Sequence, residues 1–415
     1  MIFVILSLGL AGASPALAGG DGAKQLAVQP TAPEDFLARG DELMRLGRLK
    51  EALADFDKAL ELSPTWSAAH ADRAVALVQL GKLDQAKVSL DTALILEADD
   101  ARVWEGYGVL YLAQDRPADA VDALTRSLAL APGISGTLGK RSIAYEQLGK
   151  LPEALADVEA ALRDEPESSA LTLARARLLQ ALGRREDSLN ASARLLELES
   201  RNPSVQAFYA LQLERAGRAA EAAKAWRAAI GEADRQIAAA KGADEKRGLR
   251  LTRVQLLADS GDLAGAIRTL DAMDREQPDS APILSLRCWI RATANRELER
   301  ALKDCKRAQS IDPGNGAVAD RLGFLNLRLA RLEEAVVELS RSIEWAPRQA
   351  ASRFARGLAR LRKGDREGGE ADLRAARRLD FDIDHAFARL GMAPPQDEGQ
   401  GSEPAGAPAA PSAHD

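Results

Sequence analysis

Residues 33–66 read PEDFLARGDELMRLGRLKEALADFDKALELSPTW, and this stretch decides the fold. Gly40 and Ala52 are small residues twelve positions apart with Gly47 between them, and Phe56, Ala59 and Pro64 follow. After Gly47, apolar residues recur at three- and four-residue intervals, as in Leu53, Phe56 and Leu60, which is the spacing of one helix face. The stretch predicts two helices that reverse at Gly47. Glycine accepts the positive φ that ends the first helix, and proline stops the second. Small residues twelve apart fall on facing sides of such a hairpin, where two helices approach closely only if no large side chain holds them apart.

The same marks return down the chain. In the second helix of each unit the small residue is Ala52, Ala86, Ala120, Ala154, Ser188 and Ala222, each 34 residues after the last. The column resumes after an insertion with Ala266, Ala301, Ala335 and Gly369. In the first helix it is Gly40, Ala74, Gly108, Ser142, Ala176 and Ala210. Turn glycines keep step at Gly47, Gly81, Gly149, Gly183, Gly217, Gly261 and Gly364, and helix-ending prolines at Pro64, Pro132, Pro166, Pro278, Pro313 and Pro347. One such hairpin cannot bury its apolar faces, but a stack of them can.

A 34-residue helix–turn–helix unit with these columns resembles the tetratricopeptide repeat (TPR), and the resemblance runs over about residues 33–391. It implies an all-α, right-handed α-solenoid of about ten helix–turn–helix units, with residues 383–390 as a C-terminal capping helix. Two places depart from the pattern. Residues 169–202 carry Ser188 and Ser192 where Ala and a bulky residue are expected, and about ten extra residues enter near 231–246. The extra residues are expected to form a longer helix and a charged loop, with an insertion at 235–246 dividing block one (33–234) from block two (247–391).

At the start, residues 2–10 are apolar, Pro15 interrupts them, and Ala16-Leu17-Ala18 has the small-x-small pattern of a signal-peptidase site. Residues 1–18 are therefore expected to be a signal peptide, with export to the periplasm or cell envelope; because no Lys or Arg precedes the apolar run, an uncleaved N-terminal anchor is the alternative. The apolar run is too short to span a bilayer, and no long apolar segment follows, so no membrane span is expected after signal removal. Residues 19–32 read as a flexible linker, and the Pro-, Ala-, Gly- and Ser-rich residues 392–415 as a disordered tail.

Composition narrows the function classes. A net charge of −6 and a pI near 5.5 argue against a nucleic-acid partner. Two cysteines and three histidines leave little for a metal centre. With no Gly-rich phosphate loop and no nucleophile–base pair in the sequence, neither a cofactor nor an enzymatic activity is expected. The TPR resemblance implies a protein-interaction scaffold whose ligand face is lined by the first helices. The positions one and four places after their small column are Val75 and Val78, Val109 and Leu112, Leu211, Trp289, Phe324 and Leu327, and Leu358 and Leu361. They read either as an apolar groove for a protein or peptide segment with hydrophobic anchors, or as packing between successive first helices. Asp41 and Val75 stand where the family's carboxylate-binding set has Asn, so that mode of capture is not expected.

Other features leave alternatives open. Arg39, Arg73, Arg141, Arg175 and Arg356 precede the small column. They form either a ladder for a glycan or polyanion, or structural arginines laid across the hairpin and paired with acids of the preceding unit. Residues 281–391 hold 22 Lys and Arg against 16 Asp and Glu, which is compatible with self-association, an acidic partner, or simply a solvated face. Cys288 and Cys305 sit on opposite helices of one hairpin, placed for a disulfide in an oxidising compartment or for two buried thiols. Three functions follow: a scaffold holding a peptide or organising an envelope assembly, a glycan- or polyanion-binding module of an envelope export system, and a self-assembling structural subunit.

Overall fold

The computed structural model describes residues 30–394, which hold 21 helices and no strand. The first hairpins are α1 (Pro33–Arg45) with α2 (Leu49–Leu62), α3 (Ser67–Gln79) with α4 (Leu83–Leu96), and α5 (Ala101–Ala113) with α6 (Pro117–Leu130). Next come α7 (Ser135–Gln147) with α8 (Leu151–Asp164), α9 (Ser169–Ala181) with α10 (Arg185–Leu198), and α11 (Pro203–Arg215) with α12 (Ala219–Ala239). They are followed by α13 (Ala243–Asp259) with α14 (Leu263–Glu276), α15 (Ala281–Thr293) and α16 (Leu298–Ile311). The last are α17 (Gly316–Arg328) with α18 (Leu332–Trp345), α19 (Ala350–Lys363) with α20 (Arg366–Leu379), and the short α21 (Ile383–Arg389). The chain is an all-α helical-repeat solenoid. It forms two compact units, divided between Ile290 and Arg291 within α15.

Each hairpin closes on its small column. A Cβ added to Gly40 would stand 2.4 Å from the Phe56 ring, and one at Gly108 would stand 2.4 Å from Leu124. In both hairpins a large apolar residue sixteen positions later fills the space the glycine vacates, and Phe56 and Leu124 are fully buried. All seven turn glycines have φ between +72° and +92°. Asp115, Asn295 and Ala330 adopt the same left-handed conformation in turns without glycine. Ser188 and Ser192 fit their buried slots because each hydroxyl donates to a backbone carbonyl, of Ala176 at 2.8 Å and Leu189 at 2.7 Å.

The arginines before the small column use the sixteen-residue offset in both directions. Arg39, Arg141 and Arg356 each fork onto a carboxylate in the second helix of their own hairpin, Asp55, Asp157 and Asp372, at 2.7–2.8 Å. Arg73 and Arg175 reach back to the preceding second helix, to Asp57 at 2.6 Å and Glu159 at 3.1 Å. Arg141 and Arg356 also reach back, to the hydroxyls of Thr125 and Ser340. Pairing with the preceding unit alone is thus half of the arrangement. One guanidinium joins two successive second helices wherever both partners are present, and in Arg39, Arg141 and Arg356 the fork is already filled by a carboxylate.

The extra residues near 231–246 lengthen two helices instead of making a charged loop. α12 has 21 residues and α13 has 17, against 13 or 14 in the other paired helices. Only residues 240–242 lie between them, and Asp244, Glu245 and Lys246 belong to the first turns of α13. The Ala-rich sequence of α12 favours helix, and Glu232, although buried, is held by Arg235 and Gln236. α12 packs on α13 and α13 on α14, so the stack continues through the insertion and the units divide at residue 290.

In the second unit α21 is the expected cap. The Phe387 ring lies 4.5 Å from that of Phe354 and 6.0 Å from that of Phe324, and Ile383 is buried with it. Met392 is also buried, its amide bonded to the Phe387 carbonyl, so packing continues past residue 391 into the stretch expected to be tail. The signal peptide expected over 1–18, most of the expected 19–32 linker, and the expected tail from 395 onward lie outside the described residues.

The side chain of Asp157 is only 9 % exposed and depends on Arg141 for its charge-assisted bonds. Arg141→Ala should cost about 2 kcal/mol in thermal or urea unfolding, because it strands a largely buried carboxylate. The double variant Arg141→Ala/Asp157→Ala should recover part of that loss. A single variant as stable as the parent would show that the fork does not brace the repeat.

Candidate partner-binding surface

In the first unit successive first helices touch, α1 with α3, α3 with α5 and α5 with α7. The position one place after the small column runs along them at a constant 34-residue step: Asp41, Val75, Val109, Ile143, Arg177 and Leu211. Val75 and Val109 are half-buried, as are Val78 and Leu112 three residues further along the same helices. Ile143 stands in the same register on α7 and is 48 % exposed. Its place at the fixed 34-residue step is legible in the sequence, where it follows Ser142 of the small column.

The remaining candidate residues divide by exposure. Leu211, Trp289, Phe324, Leu327 and Leu358 are each 5 % exposed or less, so here they pack and do not line a surface. For Phe324 the cause is visible, since the capping Phe387 covers it. Leu361 is half-buried and lies where a Cβ on Gly369 would stand 2.7 Å from it. Apolar character alone did not separate these residues from the accessible ones.

Polar contacts run beside the apolar strip and tie each first helix to the next. Arg102 on α5 donates to Asp72 on α3 at 2.8 Å. Glu105 on α5 accepts from Thr137 at 2.8 Å and pairs with Lys140 at 2.8 Å, both on α7. Arg177 on α9 reaches Glu146 on α7 at 3.4 Å, and Gln212 on α11 donates to Gln180 on α9 at 2.9 Å. No hydrogen bond or ion pair among the described residues holds the Asp41 carboxylate, and its burial lifts its pKa against the pull of Arg102 and Arg45. Asp72 is pushed up to about 7, first by burial and then by the Asp41 charge, with Arg102 opposing both. About a fifth of its side chain (21 %) still meets solvent, so the crevice is wet at its mouth.

Aromatic residues stiffen this region. Trp104, Tyr107 and Tyr111 lie along α5 with ring centroids 5.8 and 5.9 Å apart, and Arg126 and Arg116 cover the outer two rings at 4.0 and 4.5 Å. Tyr107 occupies the register of the column arginines and, like them, reaches back sixteen residues, donating to Asp91 at 2.7 Å. Cys288 and Cys305 are fully buried, and no cysteine is free. Among the described residues no group of three or more His, Cys, Asp or Glu is placed to hold a metal ion, and no helix is long and apolar enough to cross a membrane.

A family model described as a tetratricopeptide repeat matches residues 43–110. No curated protein matches the chain. Among solved structures it is similar to a thermophilic TPR protein of Thermus thermophilus, with 23 % identity and a TM-score of 0.39, covering 44 % of this chain and 99 % of that one. It is also similar to a TPR protein from Parabacteroides merdae, with 19 % identity and a TM-score of 0.40, covering 71 % of this chain and 98 % of that one. A third is YrrB, described as a TPR protein with an unusual peptide-binding site, with 18 % identity and a TM-score of 0.32, covering 44 % and 95 %.

The raised pKa of Asp72 has a consequence for stability. Between the usual carboxylate value of 3.8 and about 7, the folded chain keeps a proton that the unfolded chain has released. Stability therefore falls as pH rises through that window and levels off above it. Asp72→Asn removes this loss and keeps an acceptor for Arg102. In thermal melts the variant should exceed the parent by about 1 kcal/mol, or about 2–4 °C, at pH 8, with the gap closing toward pH 4. A variant less stable than the parent at pH 8 would mean that the ion pair with Arg102 outweighs burial.

Proposed function

We propose that this chain, a tetratricopeptide-repeat protein, holds a segment of a protein partner on the first-helix face of α1 to α9. The TPR fold is that of a protein–protein interaction scaffold. The envelope location rests on the sequence of residues 1–18, and the finer reading, capture of a peptide segment by this face, rests on one observation above the others. Ile143 is an aliphatic side chain left 48 % exposed in line with the half-buried Val75 and Val109. Scattered exposed aliphatics are ordinary, but here one extends an apolar strip across three adjacent first helices, with Val78 and Leu112 beside it. Covering such a strip removes apolar surface from water without disturbing the core beneath it.

The glycan reading loses its support because the arginine ladder is taken up between second helices. The action proposed is binding, not catalysis. A repeat array suits it, since several shallow contacts add along one rigid surface.

Full-length chain, immobilised and exposed to envelope extract, should retain a discrete protein that withstands high salt and leaves in mild detergent. Ile143→Asp should lower that retention at least tenfold while helicity and melting temperature stay near those of the parent, because the side chain is exposed. Retention unchanged by Ile143→Asp, or no envelope protein retained at all, would refute the proposal.

A further inference from the structure

The column that carries Ile143 has opposite charges at its two ends. From α1 to α9 it reads Asp41, Val75, Val109, Ile143, Arg177, and it stops at Leu211, which is buried. Asp41 is a half-buried carboxylate with no hydrogen bond or ion pair among the described residues. Asp72 is no competitor for a cation here, because it is taken by Arg102 at 2.8 Å. At the other end Arg177 is 28 % exposed and holds Glu146 at 3.4 Å, long for a charge-assisted bond, which leaves donors for a second carboxylate. Lys140 is already paired with Glu105, so the centre of the strip is electrically quiet.

The spacing of this column also fixes a repeat for whatever lies on it. The first helices touch in succession from α1 to α7, and Arg177 on α9 reaches Glu146 on α7; packed helices stand about 8–10 Å apart, so one step along the column is taken as about 9 Å. A polyproline II strand has three residues per turn and rises about 3.1 Å per residue, so it returns to the same side every 9.3 Å or so. Every third side chain of such a strand would meet successive first helices. Four steps, from Asp41 to Arg177, need about thirteen residues.

Building on the function proposed above, we infer that the partner segment is an extended stretch of about thirteen residues with anchors at every third position. A basic side chain stands against Asp41, three apolar side chains stand against Val75, Val109 and Ile143, and an acidic side chain stands against Arg177. The charge at each end then selects the partner's register, which apolar contacts at equal intervals would leave free to slip by one repeat.

The test uses a random fifteen-residue peptide library displayed on phage and selected on the immobilised full-length chain. The expected consensus is a basic residue, three apolar residues and an acidic residue, each three positions apart. By fluorescence anisotropy the consensus peptide should bind at least tenfold more weakly to Asp41→Lys. Changing its basic residue to Glu should restore that affinity. Asp41→Asn, which removes the charge and keeps the shape, should weaken binding several-fold with a melting temperature no lower than the parent's, so a misfolded Lys variant would not obscure the result. Apolar anchors enriched without charge order, or an affinity indifferent to both Asp41 variants, would overturn the inference while leaving the proposed function intact. If no peptide were enriched and Ile143→Asp left envelope capture unchanged, both would fall.

Discussion

Everything in this molecule depends on the close approach of two helices at a residue too small to keep them apart. Gly40 lies against Phe56, Gly108 against Leu124 and Gly323 against Leu339, in each case sixteen residues later. The distance between the helices is therefore set by one side chain from one helix of the hairpin, and not by a compromise between two. A fixed hairpin width gives a fixed step, and a fixed step is what allows a column of side chains to run straight from one hairpin to the next.

The arginines use the same geometry. The residue just before the small position leaves the first helix toward the second-helix layer, so an arginine there meets the second helix of its own hairpin sixteen residues on and that of its neighbour sixteen residues back. Tyr107 shows that the register matters more than the charge, since it reaches Asp91 from the same position. With the second helices linked in this way, the first helices are the layer left to face a ligand. Their own connections are a different set, formed by pairs such as Asp72 with Arg102 and Glu105 with Lys140, and these are partly exposed.

Much of this was legible in the sequence and part of it was not. The 34-residue period, the turn glycines and the cap over 383–390 are statements about local spacing, and spacing is what a sequence records directly. Burial along the first-helix column is not local. Phe324 and Ile143 occupy equivalent positions, yet the first is covered by Phe387 from a helix more than sixty residues later in the chain, and the second is left open. The raised pKa of Asp72 likewise comes first from burial and then from Asp41, about thirty residues away, against the pull of the equally distant Arg102. The insertion was visible as a break in period, but whether ten residues become loop or additional helical turns depends on whether the two neighbouring helices can lengthen together, as α12 and α13 do.

The central claim is that one column of equivalent positions changes role along the chain, an accessible strip up to Ile143 and core at Leu211, Phe324 and Leu358. Single cysteines placed at 75, 109, 143, 211, 324 and 358 would test it most directly, by their rates of thiol labelling in the native chain, whose own two cysteines are buried. The expected result is fast labelling at 143, slower labelling at 75 and 109, and protection at 211, 324 and 358, with added partner protecting 143 in turn. Labelling at 211, 324 and 358 as fast as at 143 would contradict the division on which the whole account rests.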